Sequence, residues 1–224
     1  VKEFVSKAVN SKIRDYTEKI IYVPTHPIVD KTGSGNTNKF KRSEVHCVFT
    51  GMFYDTIRNP RELFEIFKLL PSNYYLHLYY KGCSNIVEEY RSVLGGRLIT
   101  NGYITDKTEF DNMIRSMDIL LNVGNAISNQ VPSKILNYFS YGKPVLNFKN
   151  CEDDPIEKNY SVFPLLKTVP YLASQKTAEE IIKFYKMHGN NKLGWPDIKC
   201  YFEDSTLEYL GQQLYFLLEN ENCN

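Results

Sequence analysis

Three stretches of this 224-residue chain set glycine, polar and cationic residues together in a way that suits anion chemistry. In Thr50-Gly51-Met52-Phe53-Tyr54-Asp55-Thr56-Ile57-Arg58-Asn59, the glycine lets backbone come close to a phosphate, and Arg58 offers a planar fork of donors. A tight turn with a solvent-facing arginine is the plainer reading of the same residues. In the run from Val123 to Lys134, a polar loop passes through Pro132 into a helix start. There the Ser133 hydroxyl and the Lys134 ammonium join the unpaired N–H groups and the dipole of the first turn, a set that could hold a diphosphate. Many helices begin with Ser and Lys and bind nothing. In Asn101-Gly102-Tyr103-Ile104-Thr105, Gly102 permits a tight turn, and Tyr103 or Ile104 could cover an aromatic base or simply close the core.

Such loops need rigid elements behind them. From residue 45 onward, short β-rich runs alternate with amphipathic helical runs, the pattern of βαβ units around a mostly parallel sheet. The strands are expected at Val45–Thr50, Tyr74–Tyr80, Arg97–Thr100, Asp118–Val123 and Pro144–Phe148. The helices are expected at Pro60–Leu70, Asn85–Leu94, Lys107–Met117, Pro132–Tyr141, Ala178–His188 and Thr206–Leu218, with Thr177 and Ser205 as N-caps. In such a sheet, ligands bind at the carboxyl ends of strands, which is where the three loops fall. The polar stretch Thr32–Arg42 reads as a linker or exposed loop, and Lys2–Tyr16 as a helix followed by a short apolar run, Ile20–Val23. The acidic segment Asn150–Asn159 reads as a solvated turn. Gly33-Ser34-Gly35 lacks the third glycine of a dinucleotide fingerprint. Asn159-Tyr160-Ser161 matches a glycosylation acceptor by chance.

Composition narrows the partners. Lys and Arg number 27 against 26 Asp and Glu, so no global field favours nucleic acid, and any anion must be held locally. No apolar run approaches the roughly 20 residues that span a bilayer and no signal pattern opens the chain, so a cytoplasmic location is expected. Five scattered cysteines without a CxxC pair suit reduced thiols better than disulfides or zinc.

The segment Val131 to Phe148, VPSKILNYFSYGKPVLNF, resembles the donor-site helix and following strand of retaining glycosyltransferases with the GT-B fold: a Pro-Ser-Lys start, then Gly-Lys-Pro before a strand. VFTGMFYDTIRNP is similar to that family's first C-domain strand and phosphate loop, YYLHLYYKG to its second strand, and SMDILLNVGN to the strand leading into the donor loop. Residues 4 to 30 look like the end of the family's N-terminal domain. The likeness covers most of the chain to about residue 150.

The resemblance implies a Rossmann-like, doubly wound α/β domain, the C-terminal half of a GT-B fold. Residues 1–30 would be the end of an acceptor domain, 31–43 a linker and 44–224 the nucleotide-sugar-binding domain. This would suit a first residue other than Met and leave the piece inactive alone. By carry-over, Gly51, Arg58, Pro132, Ser133 and Lys134 would contact the donor diphosphate, with Arg58 and Lys134 as the catalytic cations. Gly102 and Tyr103 would lie by the base. Asn129 and Asn137 stand where the family carries two glutamates, and no carboxylate lies between Val123 and Tyr141. The implied activity is transfer of a hexosyl group, with retention, from a nucleotide-diphosphate sugar to a hydroxyl acceptor in polysaccharide or glycoconjugate synthesis, without metal or cofactor. The acceptor, a glycan or a lipid-linked molecule, would be met through the N-terminal half, and the full protein could touch the inner membrane surface. A catalytically silent nucleotide-binding domain and a nucleotide-sugar epimerase of the same fold are the alternatives.

Overall fold

The computed structural model describes residues 27–33, 40–128, 131–132 and 134–221. Six strands form one sheet: β1 (Val45–Met52), β2 (Tyr74–Lys81), β3 (Leu98–Asn101), β4 (Ile119–Val123), β5 (Val145–Lys149) and β6 (Leu166–Pro170). Their order is β3-β2-β1-β4-β5-β6, and every pairing is parallel. This is the doubly wound Rossmann-like arrangement, in which the order reverses between β1 and β4.

The helices are α1 (Arg61–Leu69), α2 (Ser84–Leu94), α3 (Lys107–Ser116), α4 (Lys134–Phe139), α5 (Pro155–Tyr160), α6 (Gln175–His188), α7 (Trp195–Tyr201) and α8 (Leu207–Glu221). Side chains alternate across a strand, so β1 sends Val45, Cys47 and Phe49 into one core with α1, α2 and α6. Val48 goes to the other face, into a core with α3, α4, α5 and α7. Burial on both faces is why the central strands read as nearly continuous apolar runs.

The expected strands form within a residue or two, and several expectations are corrected. Arg97 belongs to a 3-10 turn rather than to β3. Its guanidinium closes the end of α1, donating from Nη2 to the carbonyls of Phe67 (2.5 Å) and Leu70 (3.2 Å) and from Nε to that of Tyr74 (3.0 Å). Thr177 is not an N-cap: α6 starts three residues earlier, where Ser174 Oγ accepts from the Thr177 amide. The cap before α8 is Thr206, whose Oγ1 accepts from Tyr209 N, rather than Ser205. The acidic segment is not merely solvated. Asp154 is buried, caps α5 through Ile156 N and Glu157 N, and accepts from Asn147, which in turn accepts from Asn122 within the sheet. The Lys2–Tyr16 helix and Ile20–Val23 lie outside the described residues.

Two further features position the ends of the domain. Ile28 is buried and pairs in parallel with Thr206, its N–H donating to Ser205 O (2.9 Å). At the amino ends of the strands, His46 on β1 and His77 on β2 share a hydrogen bond of 2.8 Å between Nδ1 and Nε2. Phe40 stacks on His46 at 3.5 Å, and Tyr75 lies near its ring at 4.9 Å.

Candidate functional site

A cleft of about 800 Å³ opens at the carboxyl ends of β1 and β4, where the strand order reverses. β1 ends in Thr50-Gly51-Met52, and Gly51 has φ +140°, backbone that a side chain would strain. A Cβ there would also lie 3.4 Å from Lys134 Nζ. Beyond Met52 the chain folds back on itself, with Tyr54 and Arg58 exchanging both backbone hydrogen bonds. The turn aims Arg58 at the cleft. Its Nη1 donates to Met52 O (3.3 Å) and its Nη2 to Asn125 Oδ1 (2.5 Å), while Nε is buried without a partner among the described residues.

Lys134 opens α4 and reaches under Gly51 to donate to Thr50 O at 2.6 Å. Its ammonium lies over the Phe49 ring, 4.1 Å from the centroid, a cation–π contact. Thr50 is held from the other side by Tyr138, through 2.8 Å between hydroxyls. Burial pushes the Lys134 ammonium well below the ordinary lysine range, and the nearby Arg58 charge adds to this. Burial lowers Arg58 as well. Two desolvated cations side by side in a cleft repel each other and are relieved by an anion between them.

The same cleft is also lined by aromatic, apolar and hydroxyl side chains: Tyr79, Tyr103, Ile104, Thr105 and Phe110. Tyr103 is 64% exposed, with Lys81 Nζ 4.7 Å from its ring centroid. Asp106 caps α3 by accepting from Glu109 N. Asp111 on α3 accepts from Lys31 Nζ at 3.1 Å and from the Tyr141 hydroxyl at 2.5 Å, and Lys31 Nζ also donates to that hydroxyl at 3.2 Å. Burial alone would raise the Asp111 carboxyl, but the hydrogen bonds from Tyr141 and Lys31 with the Lys31 and Arg115 charges hold it below the usual carboxylate range.

Of the expected site residues, Gly51, Arg58, Tyr103, Pro132, Lys134 and Asn137 all line this one cleft. Gly102 does not: it is exposed, its φ is ordinary and a Cβ would meet nothing within 4 Å, so no tight turn requires glycine there. Asn129 and Ser133 lie outside the described residues. The helix expected from Pro132 begins at Lys134. The sequence reading overlooked Asn125, Lys31 and Asp111. Asn125 follows β4 in a loop already singled out and carried a signal, whereas Lys31 and Asp111 are 80 residues apart and meet only through the fold.

Among the described residues, no group of three or more His, Cys, Asp or Glu is placed to hold a metal ion, and no helix is long and apolar enough to cross a membrane. Cys47, Cys83, Cys151 and Cys200 are free thiols.

No family model and no curated protein matches the sequence. Solved structures do match the fold. The lipopolysaccharide outer core galactosyltransferase WaaB in its apo form superposes with a TM-score of 0.64 at 15% identity, over 98% of this chain and 59% of that one. The GtfA/B complex gives 0.61 at 12% identity, over 90% of this chain and 40% of that one. Anabaena Alr3699/HepE in complex with UDP-glucose gives 0.55 at 15%, over 77% and 48%. At these identities the likeness is one of fold, and this chain spans less than two thirds of each of those proteins.

Proposed function

We propose that this chain is the donor-binding half of a GT-B glycosyltransferase and holds a nucleotide-diphosphate sugar in the cleft between β1 and β4. The observation that carries the reading is the pairing of Arg58 and Lys134, two desolvated cations fixed on the carbonyls of Met52 and Thr50 beside a glycine that admits a close anion. A diphosphate there neutralises both. The aromatic side chains of the lining then face the nucleoside, and Asn137 lines the same cleft. The HepE neighbour is named as a complex with UDP-glucose, which makes uracil nucleotides the first to try.

On this reading the chemistry is electrostatic. As the bond between the sugar's anomeric carbon and the diphosphate breaks, negative charge grows on the departing oxygen. Arg58 and Lys134 stabilise that charge more than they stabilise the bound donor, which lowers the barrier. Transfer goes to a hydroxyl acceptor with retention of configuration and without a metal. The reading further holds that the product is a polysaccharide or glycoconjugate made in the cytoplasm or at its membrane surface, with a hexosyl donor. Residues 1–30 lead out of the acceptor half, with Ile28 already packed in this domain, and 31–43 form the connection. A silent nucleotide-binding domain is the second reading, favoured by the asparagine at 137, whose amide cannot serve as a charged acceptor.

Calorimetric titration with UDP, GDP and ADP tests the proposal. Saturable binding of one nucleotide is expected, and Lys134→Ala should weaken it by about 1.5–3 kcal/mol, roughly ten- to a hundredfold, as charge-assisted hydrogen bonds are lost. Binding of none of the three by the unmodified chain would overturn it. Binding without sugar transfer by the full-length protein would select the silent reading.

A further inference from the structure

Arg58 stands in a loop, residues 53–60, that joins β1 to α1. Connecting loops are ordinarily mobile, and arginine is among the side chains with most rotamer freedom to lose. Here the backbone on both sides of Arg58 is tied down. Its own N–H and carbonyl pair with Tyr54. The Ile57 carbonyl before it accepts from Asn150 Nδ2 at 3.2 Å, and the Asn59 carbonyl after it accepts from the Tyr171 hydroxyl at 2.5 Å. The guanidinium itself is held through Nη2 by Asn125.

These partners share an origin. Asn125, Asn150 and Tyr171 lie one or two residues past the ends of β4, β5 and β6, the strands that follow β1 in the sheet order. Sheet hydrogen bonds run on beyond the strands to place them: Gly124 N donates to Phe148 O at 2.9 Å and Tyr171 N to Lys149 O at 2.8 Å. Glycine is needed at 124, where a Cβ would lie 3.0 Å from Asp154 Oδ2 and 3.1 Å from Phe148 O. From the other side, β2 fixes the start of the loop, where Phe53 N donates to Lys81 O and Cys83 Sγ to Asp55 Oδ1. The loop is thus built into the sheet. Tyr171 is buried with its ring 5.8 Å from that of Phe148, and burial pushes its phenol above the ordinary range, so it keeps the proton that it donates. Neither Tyr171 nor Asn150 lines the cleft.

We propose that Asn150 and Tyr171 are positioning residues for the anion site: by holding the peptides on either side of Arg58, they keep its guanidinium aimed at the cleft before a ligand arrives. This rests on the reading of the cleft as a nucleotide site. A long side chain fixed in advance does not have to be ordered on binding, and a charge that needs no reorientation stabilises negative charge more strongly. The two residues are 93 and 112 positions from the carbonyls they hold, so only the parallel sheet brings them there.

A double-mutant cycle tests this, read by calorimetry with whichever of UDP, GDP and ADP the unmodified chain binds. Tyr171→Phe removes one hydroxyl and keeps the ring in its packing. It should weaken binding about three- to tenfold, the equivalent of ordering one arginine side chain at each binding event. Asn150→Ala should act in the same direction, and it serves if the phenylalanine variant does not fold. In an Arg58→Ala background the same substitutions should change affinity by less than about twofold, because the group they aim is gone. NMR titration reads affinities there that are too weak for calorimetry. In the unliganded chain, nitrogen relaxation of the Arg58 Nε–H group should report greater motion in both variants. Unchanged nucleotide affinity in both would overturn the inference even if the unfolding midpoint fell, since the two residues would then only brace the fold. Equal losses with and without Arg58 would overturn it too, because they would act on the cleft as a whole. If the unmodified chain binds no nucleotide, the proposed function fails instead, and the relaxation result alone decides whether Arg58 is held in this way.

Discussion

At the scale of single residues, the cleft depends on charges kept out of water. Lys134 is the sharpest case, because burial and the Arg58 charge both favour its neutral form. A bound diphosphate favours the ammonium, so binding should take up a proton once the pH exceeds the depressed pKa of the empty site. Nucleotide affinity should then fall as pH rises through a window below the ordinary lysine value of about 10.4. In the empty protein the sign is opposite: the unfolded chain binds more protons there, so stability rises with pH across the same window. Calorimetry in two buffers of different ionisation enthalpy reads the proton uptake, and Lys134→Ala should abolish it. These residues were legible in the sequence to unequal degrees. Gly51, Arg58 and Lys134 declare themselves because they sit at the end of β1, in the loop that follows it and at a helix start. Asn125 needed only the knowledge that the loop after β4 faces the loop after β1. Lys31 and Asp111 gave no sign, since neither lies in a motif and their meeting is a property of tertiary structure. Gly102 misled because glycine after a strand suggests a turn, whereas its backbone here is ordinary.

At the scale of elements, the pieces that went unread are α5, α7 and β6. The helices α5 and α7 have six and seven residues, too few for a repeat of 3.6 to show. β6 escaped because it is an edge strand whose Leu166, Lys167 and Thr168 are only half-buried. The caps were misplaced by three residues at α6 and by one at α8, because Ser and Thr crowd both starts and only the hydrogen bond decides between them. Arg97 shows how a polar residue can hold elements together. It supplies donors to three carbonyls, at the last turn of α1, just beyond it and at the start of β2. Arg97→Ala should lower the unfolding free energy by about 1–3 kcal/mol, because it leaves these part-buried acceptors to find water. A urea titration should show a lower midpoint with an unchanged slope, whereas a shift within the error of the fit would mean that solvent replaces the guanidinium freely.

At the scale of the whole molecule, the sheet has its cleft at the carboxyl ends of the strands and a pH-sensitive contact at the opposite ends. Burial, and then the His46 charge, lowers His77 from 6.5 to about 4, so in the folded protein it stays neutral where the unfolded chain would be protonated. The unfolded state therefore binds the extra proton between those values. The stabilisation is full above about pH 6.5 and is lost as pH falls towards 4, at about 3 kcal/mol in all. Asp118, which burial pushes up, works in the opposite sense. The comparison that isolates His77 is therefore urea unfolding of the unmodified chain against His77→Gln between pH 4 and 7, where the variant should show the flatter dependence. A parallel profile would remove His77 from the account. The parallel bridge between Ile28 and Thr206, finally, has a mechanical meaning. The chain passes the same place twice, once before its first strand and once after its last. A load carried in through residue 28 and out through residue 206 would pass through the Ile28–Ser205 hydrogen bond and the ties of Val29 and Lys31 to Ser140, and bypass the six strands. Lys31, three residues further on, would carry part of that load to Asp111 and so to the wall of the cleft.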